Sequence, residues 1–232
     1  METDRLHPWK VSAREAIEIQ KRLTHKIRIT PMDVRQVRSI AGTDTCMSRE
    51  TGMLWAGVVV LGYPLLDKIE ERWIAAKADF PYIPGLLSFR EIPALLKVFR
   101  SLRSRPDLIM CDGQGIAHPR RLGLASHLGL LLDSATIGCA KSRLVGEFSG
   151  VGPERGDYSP LVYRGEIVGA VLRTRSRVKP TFVSPGHKIT LEESIDIVLK
   201  CCTKYRLPEP TRQAHLLVNR VKRRKSIGLA RD

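Results

Sequence analysis

The sequence contains no run of about 18 apolar residues, so it lacks the stretch that a membrane-crossing helix needs. The segment from Met1 to Lys10 lacks the apolar core of a secretory leader, and a cytoplasmic location is the expectation. Cysteine is scarce and odd in number: the five are Cys46, Cys111, Cys139, Cys201 and Cys202, with no Cys-x-x-Cys pair. That excludes a disulfide framework and a four-cysteine zinc site, and leaves small buried thiols as the ordinary reading. No internal repeat, low-complexity tract or break in composition divides the 232 residues. One domain is therefore expected over residues 1–225, including an N-terminal helical segment at 1–30, with a flexible tail at 226–232.

Acidic residues are the other shortage. Asp and Glu number 24 against 39 Lys and Arg, a formal net charge of +15. Such an excess attracts polyanions, nucleic acid before an acidic membrane surface. The imbalance is also local. No acidic residue lies between Glu166 and Glu192, while Arg173, Arg175, Arg177, Lys179 and Lys188 do. A second basic block is Arg220, Lys222, Arg223, Arg224 and Lys225. It lacks the broad apolar face of a membrane-surface helix.

Periodicity gives the order of elements. Residues 9–28 read as an amphipathic helix opened by a Ser12/Glu15 capping box. Three strands follow at Val37–Thr45, Leu54–Leu61 and Lys68–Ala75; the second is apolar throughout, as befits a strand covered on both faces. A Pro-containing loop, Asp79–Gly85, leads into a helix at Ser88–Arg103. Then come a strand at Asp107–Cys111, a glycine loop at Asp112–Arg121, a helix at Leu122–Leu132 and a strand at Ala135–Cys139. Arg164-Gly165 marks a hairpin between Leu161–Tyr163 and Glu166–Thr174, and Thr181–Ser184 reads as a last strand. Thr190 and Glu193 open a helix reaching about Tyr205, and Pro210 starts the final one. Three strands followed by alternating helix and strand imply an α/β mixed sheet with flanking helices, antiparallel early and parallel later.

Several residues carry chemical possibilities. Asp44 and Asp112 each close an apolar strand. Either one alone reads most simply as a turn cap. Both at strand ends of one sheet would repel each other unless a cation such as Mg²⁺ lay between them. Glu91 stands three residues after Ser88, so local spacing reads it as a helix cap; the alternative is a ligand to the same cation. Gly113-Gln114-Gly115 lacks the Lys-Ser/Thr of a phosphate loop and the third glycine of a dinucleotide site, but allows close approach of a substrate. Phe80-Pro81-Tyr82-Ile83-Pro84-Gly85 is either an ordinary strand-to-helix connection or a stiff aromatic wedge. Lys141 and His215, taken singly, read as ordinary polar residues.

Together these stretches resemble one family. Phe80 to Glu91 (Phe-Pro-Tyr-Ile-Pro-Gly-Leu-Leu-Ser-Phe-Arg-Glu) and Asp112 to Gly129, which begins Asp-Gly-Gln-Gly-Ile-Ala-His-Pro, are similar to two signatures of endonuclease V, the deoxyinosine 3′ endonuclease. Ala41-Gly42-Thr43-Asp44, Gly138-Cys139-Ala140-Lys141 and Pro208 to His215 fit in the same order, so the resemblance covers residues 10–222. It implies a ribonuclease H-like fold. It implies a Mg²⁺ site, with Mn²⁺ as substitute, at Asp44, Glu91 and Asp112, with Lys141 on the scissile phosphate and His215 organising metal or water. It makes Pro81, Tyr82, Ile83 and Pro84 a wedge, and Leu87, Gly113, Gly123, Leu124 and Leu144 the lining for a flipped base, with His118 in the substrate-contacting loop. The implied partner is DNA containing deoxyinosine, cut 3′ to the lesion to leave 3′-hydroxyl and 5′-phosphate ends by a monomeric enzyme. An inosine-directed ribonuclease and a non-catalytic binder of damaged nucleic acid are the competing readings.

Overall fold

The strand that the sequence makes apolar throughout needs cover on both faces, and the fold supplies it. The computed structural model describes residues 6–48 and 50–228. Eight strands form one sheet in the order β3-β2-β1-β4-β5-β8-β7-β6. In chain order they are β1 (Ser39–Met47), β2 (Met53–Gly62), β3 (Lys68–Lys77), β4 (Leu108–Cys111), β5 (Ala135–Ala140), β6 (Tyr158–Tyr163), β7 (Glu166–Leu172) and β8 (Thr181–His187). The helices are α1 (Ala13–Thr24), α2 (Leu87–Arg100), α3 (Leu124–Leu132), α4 (Leu191–Cys201) and α5 (Glu209–Gly228).

Along β2, Leu54, Ala56, Val58 and Val60 pack with residues of α2 and α3, such as Leu95, Phe99 and Leu128. The alternate residues Trp55, Val59 and Leu61 pack with Ala214, Leu217, Val218 and Val221 of α5. Period-two alternation thus serves two apolar faces at once, which is why the run shows no polar positions. Helix α4 joins α5's side through Ile195, Ile197 and Val198, against Ile40, Leu108 and Ile137. Helix α1 forms an outer layer: Ala16, Ile19 and Leu23 pack on Phe80, Phe89, Leu122 and Leu130.

The early antiparallel pairs and the switch to parallel pairing at β1–β4 and β4–β5 are as the element order implies, but the sheet returns to antiparallel pairing from β5–β8 onward, where parallel strands were expected. The β1–β2 and β2–β3 pairs are antiparallel, β1–β4 and β4–β5 parallel, and β5–β8, β8–β7 and β7–β6 antiparallel. Both capping boxes form, at Ser12/Glu15 and Thr190/Glu193.

Several bounds differ from expectation, among them the ends of α2 at Arg100, short of Arg103, and of α4 at Cys201, short of Tyr205. The first helix spans Ala13–Thr24 and not 9–28, because Ser12 caps its start and the chain turns at His25. Strand β1 does not end at Asp44 but continues to Met47, held by β2 through the Met47–Leu54 pair. Helix α5 extends through Gly228, so it covers the first part of the expected tail; residues 229–232 lie outside the described residues. Among the described residues no helix is long and apolar enough to cross a membrane.

Candidate active site

The site begins where β4 stops. Thr43 pairs with Cys111, the last residue of β4, and the Asp112 amide donates to the Thr43 carbonyl (3.3 Å). Asp44 and Asp112 are therefore the next residues on two adjacent parallel strands. Beyond this level β1 has no β4 residue paired with it.

Helix α5 completes the group. Gly42 and Gly57 allow it to lie directly on the sheet. A Cβ on Gly42 would stand 1.8 Å from the Pro210 carbonyl oxygen. One on Gly57, the cross-strand partner of Asp44, would stand 2.8 Å from Val218 Cγ1. With α5 so seated, His215 Nδ1 donates to Asp44 Oδ2 at 2.7 Å. Asn219 Nδ2 meets His215 Nε2 at 3.1 Å, which favours the tautomer with its proton on Nδ1. Ligand atoms of Asp44, Asp112 and His215 all lie within 4.8 Å of one another. Two carboxylate oxygens and an imidazole are a donor set suited to a divalent cation.

The electrostatics fit the same reading. Burial pushes the Asp44 carboxyl up to about 6, the Asp112 charge adds to this, and the His215 hydrogen bond opposes it. Burial pushes the Glu91 carboxyl up to about 8, with smaller contributions from Asp44 and Asp112. A site that disfavours its own negative charge in this way is one that a cation would stabilise. The Lys141 ammonium already pairs with the Asp112 carboxylate.

Glu91 does not cap its helix. The N-cap of α2 is Leu86, without a side-chain cap, and Ser88 lies inside the first turn, where its hydroxyl pairs with His127 Nδ1 at 3.0 Å. The capping reading from local spacing is thereby corrected: the chain enters the helix one residue earlier than Ser88, so the Ser-x-x-Glu register misses the N-cap. Glu91 is not in the Asp44–Asp112–His215 group. It stands beside it, close enough to feel both aspartate charges, with a hydrogen bond to Thr45.

A cavity of about 350 Å³ opens next to this group. Asp112 and Lys141 form part of its wall, and Tyr82, Ile83, Pro84, Leu87, Gly113, His118, Gly123, Leu124 and Leu144 all line it. Of the residues that the resemblance assigned to substrate, Pro81 alone is absent from that wall; it is exposed to solvent. Tyr82 is 68% exposed and stands at the rim. Gly123 and Gly138 allow the glycine loop to fold tightly: a Cβ on either would fall within 2.4 Å of loop backbone.

His118 also fixes the loop beside the cavity. Its Nδ1 accepts the Arg120 amide (3.2 Å), so Nε2 carries the proton and donates to the Gly85 carbonyl (2.9 Å). Burial and the nearby Arg120 hold its pKa down at about 4, so it is neutral at ordinary pH. The same Gly85 carbonyl accepts from Gln20 Nε2 (3.0 Å) and Arg120 Nη2 (2.8 Å). Three donors thus pin the end of the Pro81–Pro84 loop at a glycine with φ +77°.

Gln20 and Arg120 have no role in the sequence reading. Gln20 had a signal: it interrupts the buried stripe Ala16, Ile19, Leu23 of an amphipathic helix, where an amide needs partners. The basic runs, conversely, are partly structural. Arg173 donates to the carbonyls of Gly152 and Val151, Arg175 to that of Lys204, and Arg220 pairs with Glu71.

Comparison with known proteins identifies the family. The family model described as Endonuclease V matches residues 21–216. An Endonuclease V of Dehalococcoides mccartyi is 52% identical over 212 residues, covering 91% of this chain and 95% of the relative. The crystal structure of Endonuclease V from Streptomyces avermitilis superposes with a TM-score of 0.90 at 39% identity, covering 94% of this chain and 96% of that one. Endonuclease V of Ciona intestinalis, in complex with a 24mer DNA containing an inosine followed by a ribo-adenosine, superposes with a TM-score of 0.80 at 29% identity, covering 91% and 98%. The mixed sheet is thus ribonuclease H-like. With the aspartates at the end of β4, the cavity beside them and these relatives spanning nearly the whole chain, the protein belongs to the endonuclease V family of nucleases.

Proposed function

We propose that the protein recognises deoxyinosine in DNA and hydrolyses a phosphodiester bond 3′ to it, leaving 3′-hydroxyl and 5′-phosphate ends. The observation that carries this reading is the shared wall: Asp112 belongs both to the acidic group and to the cavity, and Lys141, which pairs with it, lines the cavity too. A base held in the cavity would keep its own strand's phosphates beside the acidic group. The Ciona relative with its inosine-containing DNA supports the choice of base.

Asp44, Asp112 and His215, with Glu91 beside them, would hold Mg²⁺ or Mn²⁺. Such a cation would activate water and neutralise charge on the attacking and leaving oxygens. The other steps fall to the chain. Tyr82, Ile83 and Pro84 form a wedge at the cavity rim, with Pro81 stiffening it from outside. His118, Gln20 and Arg120 hold that wedge in place. Leu87, Gly113, Gly123, Leu124 and Leu144 line the pocket for the base, where tight walls would exclude the exocyclic amine of guanine. Lys141, released from Asp112 by an incoming phosphate, would neutralise developing charge on that phosphate. The acidic group is completed within one chain, which suits a monomer, and five free cysteines suit the reducing cytoplasm.

The test is an end-labelled duplex with one deoxyinosine, incubated with Mg²⁺ and, separately, with EDTA. A single metal-dependent nick 3′ of the lesion is expected. Cutting of the same sequence only when inosine is presented in RNA would transfer the activity to a ribonuclease. Tight binding without cutting in either would leave a damage-binding protein.

A further inference from the structure

A second cavity, of about 500 Å³, lies on the other side of the same loop; Trp9, Lys10, Lys77, Phe80, Arg90 and Lys97 are among its lining. Helix α2 divides the two cavities. Leu87 and Ser88 face the first, while Phe89, Arg90, Pro93 and Lys97 face the second. The loop does likewise: Asp79 and Phe80 line the second cavity, and Tyr82 to Gly85 the first. Arg90 links them, with its guanidinium carbon 5.9 Å from the centre of the Tyr82 ring.

The second cavity is built for an anion with an aromatic or apolar part. Four cations line it against one acid, Asp79. Lys10, Lys77 and Lys97 are exposed, and none has an ion-pair or hydrogen-bond partner for its ammonium among the described residues. The Nε of Arg90 is buried and also unpartnered among them. The wall beneath these charges is aromatic, with half-buried Trp9 above buried Phe80 and Phe89. Phosphates on lysines and bases against rings are how single-stranded nucleic acid is held.

We propose that this cavity binds the strand opposite the lesion. The proposal rests on the wedge reading above. A wedge that parts a duplex leaves two strands, one on each side. The lesion strand enters the cavity that holds Asp112 and Lys141. The other strand then meets Lys10, Lys77 and Lys97, with Arg90 and Tyr82 at the fork between them.

The experiment compares binding of two DNAs in EDTA: a deoxyinosine duplex and the same deoxyinosine strand alone. The variant is Lys77→Glu/Lys97→Glu. The control for net charge is Lys200→Glu/Lys204→Glu, on and just after α4, across the sheet. The ratio of duplex to single-strand affinity is expected to fall by about 10-fold in the first variant and to stay unchanged in the control. The salt dependence of duplex binding should weaken by ~0.9 in slope for each phosphate no longer neutralised. Equal weakening for both DNAs, or none for either, would overturn the assignment to the opposite strand. Cleavage by the wild-type protein in Mg²⁺ is read separately on the same duplex, so failure of the nuclease reading is distinguishable from failure of this one.

Discussion

Replacing Glu91 by Gln separates the chemistry of the site from the stability of the fold. The carboxyl is displaced upward from an ordinary 4.5 to about 8, first by burial. In the metal-free protein the folded state keeps this proton up to about pH 8, while the unfolded chain releases it near 4.5. Between those values the unfolded state binds fewer protons, so metal-free stability falls as pH rises, and the loss is complete above about pH 8. At about 1.36 kcal/mol per pKa step, the full displacement corresponds to roughly 5 kcal/mol. Relaxation and water entry at a half-buried carboxyl reduce the usable part to about 2 kcal/mol. Glu91→Gln keeps the shape and removes the ionisation. Its melting temperature in EDTA should equal that of the wild type near pH 4.5 and exceed it by ~4–8 °C above about pH 8. Asp44 contributes its own pH dependence to both proteins, so the difference between the two curves isolates Glu91. Cleavage should be lost, and the Mg²⁺-induced rise in melting temperature should be smaller than in the wild type. A melting difference that is flat or decreasing with pH would refute the reasoning, as would normal cleavage.

Gly42→Ala should cost on the order of 3 kcal/mol or more, because its Cβ meets backbone and not a flexible side chain. Cleavage should fall with it as α5 and His215 lift from Asp44, which thermal melting and a nicking assay read together. Arg120→Ala removes one of three donors to the Gly85 carbonyl and should lower stability by about 1 kcal/mol. It should weaken binding to deoxyinosine duplex more than to undamaged duplex; equal weakening would deny the loop its role. Asp112→Ala should abolish cleavage while leaving much of the DNA affinity, since the basic surface supplies that; gel-shift and nicking assays on one preparation check both. Tyr82→Ala removes an exposed ring, so its melting temperature should stay within a degree or two while lesion-specific binding falls.

The sequence by itself determined the order of elements, because hydrophobic periodicity and capping residues are local. Leu54–Leu61 announced a strand covered on both faces, and Ser12/Glu15 and Thr190/Glu193 announced two helix starts that form as read. It also determined the family, because five motifs fall in one order along nearly the whole chain. Local spacing misled at Glu91, where a capping pattern falls inside the helix.

What only tertiary structure decided is proximity. That Asp44 stands beside Asp112 follows from the parallel register of β1 and β4, which joins residues far apart in the chain. That His215 touches Asp44 follows from two glycines that admit α5 to the sheet, and neither Gly42 nor Gly57 signals this alone. The clamp on Gly85 gathers Gln20 from α1 with His118 and Arg120 from the glycine loop. Periodicity is a property of neighbours along the chain, whereas a site is a property of neighbours in space, and the packing of α1 and α5 supplied those.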